Sequence, residues 1–273
     1  MDGFLEDGAF SGRSAVVTGG GTGLGLAISR LLAGLGAKVA ILSRNPEHHE
    51  TLIDEGKRAG WTVAAHVCDV REPDRLDEAM SAIKTDFGSV DVLINNAAGN
   101  FIRPSLTMPK KGWQAVIDIA LSGVFYSSQA AARQMTDGGA MVNIIAPYAW
   151  TGCPGVVHSV SAKAGVLAMT RSLAVEWASR RIRVNAVAPG PFHSEGAASR
   201  LWPDDEMRRS IESQVPWKRF GTVDEVARSV VYLAAPCASY ITGACLTVDG
   251  GFSLGKGLHG DTDVPKVARA KDD

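Results

Sequence analysis

Seven short, almost wholly apolar runs rich in β-branched residues punctuate the chain, with longer helix-patterned stretches between them. The runs are Ala15–Val17, Lys38–Leu42, Thr62–Val67, Val92–Asn95, Ala140–Ile145, Arg183–Ala188 and Cys245–Val248. Helical patterns occupy Leu24–Leu35, Pro46–Ala59, Pro73–Phe87, Gly112–Met135, Ser161–Ser179 and Val223–Leu233. A strand with no polar face must be covered on both sides, and strands that alternate with helices form βαβ units. The pattern predicts an α/β fold, a doubly wound parallel sheet with helices on both faces and ligands at the carboxyl ends of the strands.

No repeat or Pro/Gly/Ser-rich linker divides the 273 residues, so one domain over 1–273 is expected, with terminal extensions at 1–12 and 256–273. The stretch 189–221 reads as an irregular loop, long enough to serve the substrate. A net charge of −1 without a long basic run gives no footprint for nucleic acid; Lys110-Lys111 and Arg180-Arg181 read as surface pairs. Cys68, Cys153, Cys237 and Cys245 show no CxxC pairing, so neither a disulfide framework nor a metal site is expected. The acids at Asp2, Glu6 and Asp7 do not suit a secretory signal, and the final Lys271-Asp272-Asp273 is not a peroxisomal signal. No apolar run is expected to span a membrane, and a cytoplasmic location follows.

The first strand leads into Thr18-Gly19-Gly20-Gly21-Thr22-Gly23-Leu24-Gly25, with a helix behind it. Glycines there permit a tight turn and let a pyrophosphate approach the helix N-terminus, where free N–H groups and the dipole favour anions. After the second strand, where an acid would meet a free ribose 2′-hydroxyl, the chain has Ser43 and Arg44. A hydroxyl and a guanidinium suit a 2′-phosphate, so NADP(H) is the cofactor expected.

Cys68-Asp69-Val70 follows the third strand and Asn95-Asn96-Ala97-Ala98-Gly99 the fourth; Pro189-Gly190 follows the sixth, and Asp249-Gly250-Gly251 lies near the end. Over roughly residues 10–253 these motifs resemble the short-chain dehydrogenase/reductases, whose Rossmann-type sheet has seven parallel strands. The resemblance implies that Asp69, with Val70 beside it, meets the adenine. It places Asn95, Ala97 and Gly99 along the adenosine, and Pro189, Gly190, Pro191 and Phe192 at the nicotinamide.

Standard members reduce carbonyls with an Asn–Ser–Tyr–Lys set. Here Lys163 is present, but Ser159 stands at the tyrosine position, Ala146 at the serine and Ala120 at the asparagine. A serine hydroxyl is too weak an acid to replace tyrosine. The chain is similar instead to the 2,4-dienoyl-CoA reductases, which have Ser-x-x-x-Lys and a tyrosine from the loop after the fifth strand, here Tyr148 in Ala146-Pro147-Tyr148-Ala149-Trp150. That resemblance makes Tyr148 the acid, Ser159 a donor to the thioester oxygen and Lys163 a ribose ligand whose charge should lower the Tyr148 pKa. It puts Ser122 where a catalytic asparagine would be, and Arg71, Phe101 and Arg200 beside the acyl-CoA substrate. Family members are commonly tetramers, so a homo-oligomer is implied. Two alternatives stay open: a trans-2-enoyl-CoA reductase, and a catalytically silent nucleotide-binding sensor or scaffold.

Overall fold

The structure is a computed structural model and describes residues 5–193 and 205–254. Seven strands, β1 Ser14–Thr18, β2 Lys38–Ser43, β3 Val63–Val67, β4 Val92–Asn95, β5 Gly139–Ile144, β6 Ile182–Pro189 and β7 Cys245–Val248, form one sheet. Every pairing is parallel and the order is β3-β2-β1-β4-β5-β6-β7. The predicted Rossmann-type sheet is thus the observed one. The chain winds outward from β1 to β3 and then crosses to β4 on the other side of β1. That reversal opens a crevice beyond the carboxyl ends of β1 and β4.

Side-chain alternation explains why these runs had to be apolar throughout. Ala15, Val17, Val39 and Ile41 face one core layer; Val16, Ala40 and Leu42 face the other. The first layer is closed by α1 (Gly23–Gly34), α2 (Glu50–Ala59) and, further along the chain, α9 (Val223–Ala234). The second is closed by α3 (Pro73–Phe87), α5 (Gly123–Gln134) and α7 (Val157–Glu176). The edge strands depart furthest from full burial: Val67 of β3 is 64% exposed and Leu246 of β7 is 37% exposed.

Helix boundaries differ from the expected ones in four places. The Pro46–Ala59 pattern begins as a separate 3-10 turn, Pro46–His49, because the Asn45 side chain accepts the Glu47 N–H at 3.1 Å. The long helix after β4 is α4 (Lys110–Ile117) joined to α5 through a π-turn, Asp118–Ser122. Helix α7 starts at Val157, four residues before the expected start. The stretch expected to be irregular contains α8, Asp205–Gln214. The rod Lys110–Gln134 is long and apolar enough to cross a membrane by length and composition, contrary to expectation; half of its most apolar window is buried inside the protein, as in a core helix.

Candidate active site

The glycine-rich turn is held from behind. Thr18 at the end of β1 accepts hydrogen bonds at Oγ1 from the Asn96 and Ala97 N–H groups, each at 3.0 Å. The Asn96 amide donates to the Thr18 and Gly19 carbonyls at 3.0 and 3.2 Å. Asn96 was not among the expected site residues, although its place in the Asn-Asn pair after a strand could have signalled a strand-linking role. Gly19 has φ +64°, open to a residue without Cβ. Gly21 is needed for a different reason: a Cβ there would run into the His48 carbonyl, so the 3-10 turn packs directly on the glycine-rich one. Thr22 supplies no capping hydrogen bond to α1, and Gly23, Leu24 and Gly25 open a first turn without acids. Such a helix start offers N–H groups and dipole to an anion, so the residues present fit a dinucleotide pyrophosphate.

Further along the crevice, the Ser43 hydroxyl lies 3.4 Å from His48 Nδ1, and Arg44 is exposed, 3.9 Å from Asp69. Asp69 is gripped by Arg71, whose guanidinium donates to both carboxylate oxygens at 2.6–3.1 Å. Partial burial alone would push the Asp69 carboxyl up, but the Arg71 hydrogen bonds outweigh it and hold it below the usual range. Arg71, expected at the substrate, is therefore committed to Asp69. Val70 packs over Gly123 of α5. The Asn95 side chain is buried and donates to Ser128 and Asn143 at 2.9 and 2.8 Å, while Asn143 donates to Thr170 at 2.9 Å. This network ties β4, β5, α5 and α7 together, so the Asn95 side chain serves the frame, and the place expected for Asn95 along the adenosine would fall to its backbone. Gly99 follows as open loop. Gly190 is pinned by its N–H to the Val248 carbonyl at 3.0 Å, and Pro191 and Phe192 pair with Gly221.

Beyond β5, a short helix α6 (Tyr148–Thr151) carries the tyrosine. Tyr148 Oη and Ser159 Oγ are 2.9 Å apart. Ser159 and Lys163 lie one turn apart on the buried face of α7, the spacing that puts two side chains on one face. Lys163 is 6% exposed and donates to the Ile144 carbonyl at 2.6 Å. Burial lowers its pKa from 10.5 to about 8. Burial also pushes the Tyr148 phenol up, partly offset by the Ser159 hydrogen bond, and Lys163 is not among the charges that act on it. The expectation that Lys163 lowers the Tyr148 pKa is thus overturned, because desolvation of the phenol dominates.

The loop after β4 closes over this end. Phe101 meets the His158 ring edge-on, centroids 4.5 Å apart, and the Arg103 N–H donates to the Gly155 carbonyl at 2.7 Å. Ala120 is buried against Val116 and Ala162, so the asparagine position of standard members is filled by core packing. Ser122 ends the π-turn, half-buried, and among the described residues it makes no hydrogen bond to Tyr148 or Ser159. Arg200 lies outside the described residues.

The fold and the cleft fit a nucleotide-dependent oxidoreductase, with a tyrosine, a serine and a lysine gathered beyond the carboxyl end of β5. Residues 19–253 match the family described as enoyl-(acyl carrier protein) reductase. The chain is 43% identical over 243 residues to a probable 2,4-dienoyl-CoA reductase [(2E)-enoyl-CoA-producing] of Bacillus subtilis (strain 168), covering 88% of this chain and 96% of that protein. It is 39% identical over 242 residues to the peroxisomal 2,4-dienoyl-CoA reductase [(3E)-enoyl-CoA-producing] of Pongo abelii, covering 87% and 82%. A gluconate 5-dehydrogenase from Burkholderia cenocepacia, solved in complex with NADP and tartrate, superposes with a TM-score of 0.86 at 30% identity, covering 91% of this chain and 98% of that one. The chain belongs to the short-chain dehydrogenase/reductase family, oxidoreductases whose members use NAD(P).

Proposed function

We propose that the protein reduces a conjugated enoyl thioester with NADPH, converting a 2,4-dienoyl-CoA to a 3-enoyl-CoA. The observation that carries this reading is the 2.9 Å contact between Tyr148 and Ser159, with Lys163 one turn further along α7. NADPH, when bound, supplies the hydride to the far end of the conjugated system, and negative charge then collects on the thioester oxygen. Ser159 donates a hydrogen bond to that oxygen; such a positioned donor is typically worth about 3 kcal/mol in the transition state. Tyr148 releases its proton to carbon, and its raised pKa keeps that proton in place at neutral pH. Because the two hydroxyls touch, the acid lies beside the carbonyl end of the substrate. The carbon next to the carbonyl, not the γ-carbon, is the one within its reach, and protonation there leaves the remaining double bond at C3. Lys163 has one donor on the Ile144 carbonyl and two left for ribose hydroxyls.

Ser43 and Arg44 support NADPH over NADH by complementing a 2′-phosphate. Arg71 could reach an anionic CoA only by leaving Asp69, whereas Phe101 offers the acyl chain an apolar wall. The α4–α5 rod and α7 are the faces through which a homo-oligomer would form. The test is NADPH oxidation over a panel of crotonyl-CoA and 2,4-dienoyl-CoA thioesters, with the double bond of the product located by NMR. Turnover of the dienoyl thioester to the 3-enoyl product is expected. A 2-enoyl product, or binding of NADPH with no turnover of any thioester, would overturn the reading.

A further inference from the structure

We propose that His48 is a third ligand, with Ser43 and Arg44, for the phosphate on the cofactor's ribose, and that it makes the choice of NADPH over NADH depend on pH. The inference rests on the NADPH reading above.

The adjacent histidines 48 and 49 have opposite fates. His49 is 7% exposed, and its Nε2 has no hydrogen-bond partner among the described residues, so it plugs the 3-10 turn into the core. His48 is exposed, and among the described residues its ring has one hydrogen-bond contact, Nδ1 to the Ser43 hydroxyl at 3.4 Å. Its backbone is not free to drift. The His48 carbonyl fills the space beside Gly21, and Asn45 holds the start of the turn through the Glu47 N–H. The turn thus bridges the glycine-rich segment at the end of β1 and the residues at the end of β2. Those two strand ends flank the ribose of any dinucleotide bound across this crevice. An imidazole fixed there, beside a hydroxyl and an exposed guanidinium, faces an anion and not a neutral 2′-hydroxyl.

The charged and titratable groups nearest His48 in the chain are Arg44, just after β2, and Glu47, His49 and Glu50 on its own segment; His66 of β3 acts on His49, and Asp69 is paired with Arg71. A phosphate dianion adds a double negative charge at close range, so it draws a proton onto an adjacent imidazole. NADPH should therefore bind with proton uptake near neutral pH, and NADH without it. The phosphate's own ionisation, with a pKa of about 6, acts in the opposite sense, since rising pH increases its charge. A loss of NADPH affinity with rising pH can then come only from a protein group.

The experiment is titration calorimetry of the full chain with NADPH and NADH from pH 6 to 8, in buffers of different ionisation enthalpy, for the wild type, His48→Gln and Arg44→Ala. In the wild type the NADPH Kd should rise about fivefold across the range with measurable proton uptake, and the NADH Kd should stay flat. His48→Gln should weaken NADPH about fivefold at pH 6, remove most of the proton uptake and leave NADH unchanged, which also reports an intact fold. If the wild type does not prefer NADPH and Arg44→Ala changes nothing, both the cofactor reading and the inference fall. A preference for NADPH that disappears in Arg44→Ala, alongside a His48→Gln protein matching the wild type at every pH, would overturn the inference and leave the cofactor reading standing.

Discussion

Tyr148, Ser159 and Lys163 do different work, and substitution separates them. Tyr148→Phe should lower kcat by at least about 100-fold, the scale of a positioned general acid, and leave the NADPH Kd nearly unchanged. Ser159→Ala should slow the hydride step itself, measured as the single-turnover decay of NADPH fluorescence. Equal single-turnover rates for wild type and Ser159→Ala would remove Ser159 from the oxyanion role. Lys163 gives a pH signature. Its pKa of about 8 predicts that kcat/KM falls as pH rises through 8 with loss of its charge, a limb that Lys163→Arg should shift upward. The same group affects stability with a definite sign. Its folded pKa is depressed below 10.5, so between pH 8 and 10.5 the unfolded chain binds more protons and stability rises with pH. Urea melts of the wild type should show that rise relative to Lys163→Met, which lacks it. Spacing alone revealed that Ser159 and Lys163 share a helix face. It could not reveal how dry that face is, and dryness is what reversed the expected shift of Tyr148.

At the level of elements, strands were the most legible because each has apolar side chains on two faces, a demand that turns and surface helices do not share. Helix α8 escaped notice because it buries none of its side chains, so no apolar stripe marks it. The π-turn Asp118–Ser122 escaped for another reason: one inserted residue is invisible in a periodic pattern, yet it turns both Ala120 and Leu121 toward α7. The glycine-rich turn was legible as the tight link between β1 and α1, but the steric need at Gly21 comes from a turn 27 positions away. Gly21→Ala should therefore displace the 46–49 turn and weaken NADPH binding more than NADH binding, as read by the ratio of the two Kd values. The Asn95 network makes a separate prediction. Asn95→Ala removes the donor to the Asn143 Oδ1 and Ser128 Oγ acceptors, though each residue keeps its own donated bond, to Thr170 and the Val124 carbonyl; it should lower unfolding free energy by about 1–3 kcal/mol, with little change in cofactor affinity.

Across the whole molecule, one strand-borne cation joins parts that the sequence pattern treats as separate. Arg183 of β6 donates to the carbonyls of Leu233, Ala234 and Ala235 at the end of α9, and to Ile241 before β7, at 2.7–3.3 Å. Burial holds its pKa below the usual value, so it is a desolvated cation satisfied by a helix C-terminus. Arg183→Met should remove about 3 kcal/mol of stability and loosen α9 and β7 together, seen as coincident loss of amide protection in both. The parallel, doubly wound sheet was legible because strands that alternate with helices form βαβ units of one hand. Contacts such as Arg183 were not, since an arginine in a strand reads equally well as an exposed edge.

Tyr148 and Lys163 arise from different pieces of chain. Lys163 belongs to a twenty-residue helix packed into the core, whereas Tyr148 stands on a four-residue helix between the end of β5 and the Gly155 carbonyl that receives Arg103. A change of length or composition between Ile145 and Gly155 thus moves Tyr148 while the glycine-rich turn and Lys163 stay fixed. On the proposed chemistry, this one segment sets where the proton lands, and so which isomer leaves, independently of the half of the site proposed to hold the nucleotide.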